Sequence, residues 1–162
     1  MQEKNFIVFY YRKNKDLNQI HILLVEDNEG DILLTTDALE EGKVVNRISV
    51  VKDGKAAIDF LEKENGYEKA TMPDLILLDV NLPKINGYEV LHYIKSSSKL
   101  KMIPVIILTT SSSERDITLA YKNCANCFIT KPVEIDNFLQ VIRSIENFWI
   151  SIVHLPAKNK NE

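Results

Sequence analysis

Polar side chains follow four of the short apolar runs in this sequence, at the point where each run ends. They are Glu26 and Asp27 after the first run, Asp79 near the middle of the chain, Thr109 after the next run, and Lys131 just beyond the last. Near-continuous apolar runs of this length predict buried parallel strands. Because the carboxyl ends of parallel strands meet at one edge of a sheet, we expect these five side chains to converge in one crevice.

The three carboxylates of this set predict a metal site. Negative charges gathered in one crevice repel one another, and hard oxygen ligands of this kind favour Mg²⁺. A Mg²⁺ held by few carboxylates keeps positions open for phosphate oxygens. Lys131 would add a second positive charge and Thr109 a hydroxyl donor, which are the groups that phosphoryl transfer requires. The nucleophile is then a carboxylate, as in enzymes that form an aspartyl phosphate.

Each of these residues taken alone has a simpler interpretation. An Asp after a strand is usually a turn residue or a helix cap, a Thr there is usually a strand end, and a Lys is usually a solvated surface charge. Complementary groups at four strand ends favour the joint interpretation instead. Other phosphate chemistries fit less well, because Gly54 and Lys55 lack the spacing and the hydroxyl residue of a P-loop. The segment 79–81 also lacks the second aspartate of a D-x-D phosphatase.

The elements that position these residues follow from the alternation of short apolar runs with longer segments of helical period, which predicts an α/β fold. We expect strands at residues 20–25, 48–51, 75–78, 105–108 and 127–129. We expect helices to begin near Gly30, Gly54, Gly87, Ser113 and Val133, with Ser113 and Asp116 as a capping box. The last helix carries an apolar stripe formed by Ile135, Phe138, Leu139, Ile142, Ile145 and Trp149.

Length and composition bound the remaining possibilities. The 162 residues suffice for one domain with short flanking segments, and a net charge of −3 gives no general attraction for nucleic acid or anionic lipid. Apolar stretches are too short to span a bilayer and no secretion signal is evident, so we expect a cytoplasmic protein. Cys124 and Cys127 form a single C-x-x-C; small apolar residues beside a strand are the favoured interpretation, with a disulfide or a zinc site as alternatives. Residues 6–11 are a candidate edge strand.

The sequence resembles the receiver domains of two-component response regulators across residues 19–149. The resemblance is carried by four segments: residues 23–28 (LLVEDN), residues 74–83 (DLILLDVNLP) followed by Gly87, residues 105–110 (VIILTT) and residues 128–132 (FITKP). It implies a flavodoxin-like, doubly wound sheet of five parallel strands in the order 2-1-3-4-5 with five helices. It also implies an N-terminal extension at 1–18, a receiver domain at 19–150 and a tail at 151–162.

The resemblance assigns roles to the residues of the crevice. Asp79 would accept the phosphoryl group from a histidine kinase, with Thr109 and Lys131 holding the phosphoryl oxygens. Mg²⁺ would be held by Asp27 and Asp79, by Glu26 largely through water, and by the backbone carbonyl of Asn81. Family members commonly carry Asp at the position of Glu26. The resemblance further implies a cis peptide bond between Lys131 and Pro132, which would aim the lysine into the crevice.

The same resemblance suggests how the signal leaves the domain. Phe128 falls where the family places a switch aromatic, which would rotate inward as phosphorylation draws Thr109 toward the phosphoryl group. Core packing is the simpler role for Phe128. A finer likeness, carried by residues 143–149 and 123–127, is to the single-domain response regulators of bacterial phytochromes. It implies a phytochrome-type kinase partner, a homodimer through the last two helices and the fifth strand, and output by contact with an unknown protein.

Two other classes of function remain open at this point. One is a Mg²⁺-dependent phosphatase or phosphotransferase that acts on a small external substrate, and it would need a proton-handling residue in the crevice. The other is a receiver that serves as a scaffold without being phosphorylated. By the resemblance, a binding and switching module would phosphorylate itself from small phosphodonors, would lose the phosphoryl group slowly to water, and would turn over no external substrate. In that hypothesis Asn81 and Ser111, each two residues beyond a site residue, border the attacking water and set the lifetime of the phosphoryl group.

Overall fold

The structure is a computed structural model that describes residues 19–42 and 46–156 of the chain. The candidate edge strand at residues 6–11 lies outside the described residues, as do the rest of the N-terminal extension and the last six residues of the tail. The predicted division of the chain into extension, domain and tail stays a prediction.

Five strands and five α-helices alternate along the described chain. The strands are β1 (Ile20–Val25), β2 (Asn46–Val51), β3 (Leu75–Leu78), β4 (Val105–Thr109) and β5 (Cys127–Thr130). The helices are α1 (Glu29–Glu40), α2 (Gly54–Glu62), α3 (Gly87–Ser96), α4 (Glu114–Lys122) and α5 (Ile135–Ile145), followed by a π-helix at Glu146–Ile152. The predicted α/β alternation is confirmed.

All five strands belong to one parallel sheet with the order β2-β1-β3-β4-β5, as predicted. The order reverses between β1 and β3, and this reversal opens a crevice at the carboxyl edge of the sheet. β2 begins two residues earlier than its apolar run, because the ladder to β1 extends to the pair Ile20 and Asn46. β1 and β3 have the predicted bounds.

Hydrophobic side chains fill both faces of the sheet, which explains why the strands are apolar without alternation. One cluster lies under α2, α3 and α4 and includes Leu23, Ile76, Leu78 and Ile107. The other lies under α1 and α5 and includes Ile22, Leu24, Leu77 and Ile106. Successive strand residues therefore face opposite layers, and the rigid sheet fixes the positions of the residues that follow each strand.

Gly87 lies where α3 approaches the segment that follows β3. A Cβ atom at this position would meet the Asp79 carbonyl oxygen at 2.2 Å and Val80 Cα at 2.6 Å. Both are backbone atoms, so they cannot relieve the clash by a change of side-chain rotamer. We therefore expect Gly87→Ala to lower the free energy of unfolding by about 1–3 kcal/mol, the usual cost of overpacking, measured by urea denaturation.

Gly30→Ala is the matched control for this prediction. Its added Cβ would meet only the Asn28 side-chain oxygen, at 3.2 Å. We expect a change within about 0.5 kcal/mol, since the contact is with a movable side chain near the surface. Equal losses for the two variants would contradict the account of Gly87.

The last helix keeps its predicted stripe except at the first residue. Phe138, Ile142 and Ile145 are buried, but Ile135 is 58% exposed because the helix begins there, with Glu134 as its N-cap, rather than near Val133. Beyond Ile145 the chain continues as a π-helix, whose wider turn shifts the side-chain direction. Trp149 still packs against the buried cluster of α1 and α5.

Candidate functional site

Backbone hydrogen bonds continue between neighbouring strands at the carboxyl edge of the sheet, where they form the floor of the crevice. Glu26 N donates to Val51 O at 3.0 Å, and Asp79 N donates to Val25 O at 3.0 Å. Lys131 N donates to Thr109 O at 2.7 Å. These bonds hold the backbones of Glu26, Asp79, Thr109 and Lys131 against the neighbouring strands.

Three carboxylates form an acidic cluster at this floor. Glu26, Asp27 and Asp79 each place a carboxylate oxygen within 4.8 Å of the others. Glu26 and Asp79 are buried, whereas Asp27 is exposed at the mouth of the crevice. Burial raises the pKa of Glu26 above its ordinary value, an effect that the contacts with Lys131 only partly offset.

Lys131 brings one positive charge against this cluster. Its Nζ contacts Glu26, lies 3.1 Å from Asp79 Oδ2 and lies 2.9 Å from Asp31 Oδ2. Burial by itself would lower the pKa of Lys131, but the hydrogen bonds and charges of the three carboxylates outweigh it and raise the pKa above its ordinary value. Lys131 therefore remains an ammonium group at any physiological pH.

Thr109 presents an unusual hydroxyl group at the end of β4. The residue is fully buried, and among the residues that the structure describes its Oγ1 is the one buried side-chain polar atom without a hydrogen-bond partner. A buried hydroxyl without a hydrogen-bond partner lowers the stability of the folded state by about 1–3 kcal/mol. Such a group therefore calls for a functional explanation. An oxygen-rich ligand in the crevice would supply the missing partner.

The predicted cis peptide bond between Lys131 and Pro132 is wrong. No cis peptide occurs in the described residues, so this bond is trans. The trans isomer of an X–Pro bond is favoured by about 0.5–1 kcal/mol. Since Lys131 Nζ reaches three carboxylates from a trans backbone, its direction into the crevice does not require the cis isomer.

Asp31 is a site residue that the sequence interpretation missed. It lies on the first turn of α1 and not at a strand end, so the pattern that located the other residues does not include it. An acidic residue at this position of a helix is ordinarily explained by the helix dipole. Its role is visible only once Lys131 is placed beside it.

The other residues singled out in the sequence have the following contacts. Asn81 is exposed, and its backbone N–H donates to Asp79 Oδ1 at 3.3 Å. Ser111 donates to Asp116 Oδ2, on the first turn of α4. Phe128 is half-buried and packs against the cluster under α2, α3 and α4. Ser113 caps α4, but Asp116 does not return the second bond of a capping box because its carboxylate binds Ser111.

The donor set of this site fits a divalent cation. Three carboxylates within 4.8 Å carry more negative charge than the single Lys131 ammonium offsets, and all the side-chain donors are hard oxygens. Asp27 at the mouth leaves an open approach to the cluster. The site is therefore a divalent-metal site.

The structure also bears on the predictions about the two cysteines and about membrane-spanning segments. Cys124 and Cys127 are free thiols, so the disulfide alternative is wrong; Cys127 lies half-buried in β5.

Within residues 19–42 and 46–156, no helix is both long and apolar enough to cross a membrane.

Comparisons with known proteins agree with this geometry. Residues 22–143 match the model of the response regulator receiver domain. The chain is 42% identical over 136 residues to response regulator Rcp1 of Synechocystis sp., covering 84% of this chain and 92% of that protein.

Two solved structures show the same fold. The phosphorylated cyanobacterial phytochrome response regulator RcpA is 45% identical, with a TM-score of 0.84, covering 86% of this chain and 100% of that one. The Mn²⁺-bound form of response regulator Rcp1 is 41% identical, with a TM-score of 0.83, covering 85% of this chain and 99% of that one. The fold of both proteins matches that of this chain, and the Mn²⁺ bound by Rcp1 is a divalent cation, as the acidic cluster of this chain requires.

Proposed function

This chain belongs to the response regulator receiver domain family, and we propose that it accepts a phosphoryl group on Asp79, with a bound Mg²⁺, from a sensor histidine kinase. The chain is a component of phosphorelay signalling. The choice of Asp79 is supported by two observations. Its carboxylate lies within 4.8 Å of those of Glu26 and Asp27, and its Oδ2 lies 3.1 Å from the Lys131 ammonium.

In the proposed reaction a carboxylate oxygen of Asp79 attacks the phosphorus atom of a phosphohistidine. The new P–O bond forms as the P–N bond breaks, and the electron pair of the broken bond stays on the histidine ring. Lys131 donates to one phosphoryl oxygen and the unpartnered Thr109 hydroxyl to another, so both residues stabilise charge that develops during transfer. The reaction needs no external substrate beyond the phosphodonor.

A bound Mg²⁺ would neutralise the remaining phosphoryl charge. Asp27, Asp79, Glu26 and the backbone carbonyl of Asn81 would hold it. The all-oxygen donor set supports Mg²⁺ over Zn²⁺ or Cu²⁺, since imidazole and thiolate ligands favour those ions. Asp27 at the open mouth leaves room for the waters that Mg²⁺ retains.

The test is incubation with acetyl phosphate and Mg²⁺ followed by intact mass measurement. We expect a gain equal to one phosphoryl group in the native chain and none in Asp79→Asn, which keeps the size of the side chain but removes the nucleophile. A gain of equal size in Asp79→Asn would move the acceptor to another residue. An absence of gain with every phosphodonor tried would favour an unphosphorylated scaffold.

The proposed output begins at Thr109 and Phe128. When Thr109 moves toward the phosphoryl group, the ring of Phe128 can rotate into the vacated space. The ring is half-buried on β5, and β5 pairs directly with β4. β5 is also an edge strand beside α5, so rotation of the ring changes a surface that a partner can contact.

We infer that this surface is the interface of a homodimer, formed by α4, β5 and α5. Part of this surface is an open groove between β5, α5 and the π-helix, with apolar side chains contributed by Cys127, Ile129, Val141, Phe148 and Trp149. Phe148 is 52% exposed and extends the apolar lining of this groove, which a second copy of the chain would cover. Output then passes by contact to a further protein in the cytoplasm, and a phytochrome-type kinase is the proposed partner upstream.

The variant Phe128→Ala tests the proposed conformational switch separately from the phosphorylation of Asp79. We expect the variant to take up the phosphoryl group at a rate within about twofold of the native chain, because Phe128 lies outside the set of groups that contact Asp79. We expect phosphorylation-linked dimerisation to weaken about tenfold, the usual size of a coupling between two sites. Sedimentation with and without acetyl phosphate measures the effect. Unchanged dimerisation would limit Phe128 to core packing.

A further inference from the structure

Asp31 contacts the lysine of the site without belonging to the metal cluster. Its Oδ2 lies 2.9 Å from Lys131 Nζ, closer than the 3.1 Å that separates Nζ from Asp79 Oδ2. Its side chain is 31% exposed, whereas Lys131 is almost fully buried. Asp31 is therefore the most solvated of the three carboxylates that Lys131 contacts.

The start of α1 explains why this carboxylate is free to reach Lys131. A Glu or Gln at the third position of a helix often returns to the N-cap backbone N–H and completes a capping box, whereas α1 has the shorter Asp31 there. Asn86 and Glu89 do this at the start of α3, where the Asn86 N–H donates to Glu89 Oε2 at 3.1 Å. At the start of α1 the Asn28 N–H donates instead to Glu26 Oε1 at 3.1 Å, although Asn28 Oδ1 still accepts from Asp31 N.

An ammonium group has three N–H donors, and Lys131 directs them at Glu26, Asp31 and Asp79. A phosphoryl oxygen on Asp79 needs at least one of these donors. Glu26 and Asp79 belong to the cluster that a cation would neutralise, but Asp31 does not. After a cation binds, Asp31 is the carboxylate that still competes with the phosphoryl group for Lys131.

We propose that Asp31 is a positioning residue that shares the Lys131 ammonium with the phosphoryl group and so weakens the hold of the site on it. The inference rests on the proposed function of Asp79. If this inference is right, removing the charge of Asp31 tightens binding of the phosphoryl group. Removing a group that contacts the phosphoryl oxygens would instead weaken that binding.

Beryllofluoride, an inert mimic of the phosphoryl group, tests this at equilibrium in saturating Mg²⁺. We expect Asp31→Asn to tighten its affinity about 3- to 10-fold, the range for a partly exposed charged contact. Asp31→Glu, which keeps the charge, should return the affinity toward the native value. The ¹⁹F resonances of the bound mimic should shift in Asp31→Asn, because the lysine beside it changes partners.

Glu29→Gln is the matched control. Glu29 lies on the same first turn, carries the same charge and pairs with Lys52 rather than Lys131. We expect its affinity for the mimic to stay within about twofold of native, since the contact is exposed. Equal effects of Asp31→Asn and Glu29→Gln, or weaker binding by Asp31→Asn, would overturn the inference alone. An absence of Mg²⁺-dependent binding by the native chain would overturn the proposed function with it.

Discussion

Replacing Lys131 by alanine is expected to lower phosphorylation from acetyl phosphate by at least about 100-fold and to strengthen binding of the divalent cation. The first effect follows because a preorganised charge in a buried site contributes about this much to transfer. The second follows because the ammonium contacts Glu26 and Asp79, two members of the acidic cluster, and competes with the cation. We expect the cation affinity to rise at least about threefold, from the Coulomb energy of a unit charge at this separation.

Lys131→Arg is the control for this pair of effects. It keeps the charge but places a planar group where a compact ammonium contacts three carboxylates, so phosphorylation should fall less than in Lys131→Ala. Cation affinity is measured by calorimetry, and phosphorylation by intact mass over time. A Lys131→Ala chain that lost both cation binding and phosphorylation would indicate collapse of the site rather than loss of one charge.

Removing the divalent cation is expected to abolish phosphorylation, with a loss of at least about 100-fold in the presence of a chelator. Asp27→Asn should reproduce much of this loss at moderate Mg²⁺, because it removes one of three clustered carboxylates. Cation affinity should fall about tenfold or more. Asp27 is the suitable position because it is exposed, so the substitution leaves the core packing intact.

Asp136→Asn provides the control, since Asp136 is an exposed carboxylate on the first turn of α5, outside the cluster. Added Mg²⁺ should raise the melting temperature of the native chain and of Asp136→Asn, because the ion binds the folded state. The rise should be much smaller for Asp27→Asn. Phosphorylation that persists at the native rate in a chelator would contradict the metal assignment.

The sheet and its edge were predictable because the relevant signals are local. A buried parallel strand must be apolar on both faces, so the runs at β1 and β3 fixed those strands to the residue. The polar residues that end the runs then had to meet at one edge, which placed Asp79 and Lys131 together although they are 52 positions apart. Strand order came from the resemblance to receiver domains and not from periodicity.

What could not be predicted depends on three-dimensional neighbours. Asp31 carries no strand-end signal, and its partner Lys131 lies 100 positions away in the sequence. The π-helix after Ile145 has no distinguishing local sequence, since its apolar spacing is that of an α-helix continued. Glu146 is buried there against Gly42, and a Cβ added at Gly42 would lie 2.1 Å from Glu146 Oε1. No local sequence pattern predicts this close approach, because the two residues are far apart in the chain.

Chemical trapping of the phosphorylated residue tests the central claim most directly. An acyl phosphate on an aspartate is reduced by borohydride to homoserine, which peptide mapping locates. After treatment with acetyl phosphate and Mg²⁺, we predict homoserine at position 79 and at no other aspartate, and none when the cation is removed first. Homoserine at another position, or a phosphorylated chain that yields none, would contradict the assignment of Asp79 as the phosphoacceptor.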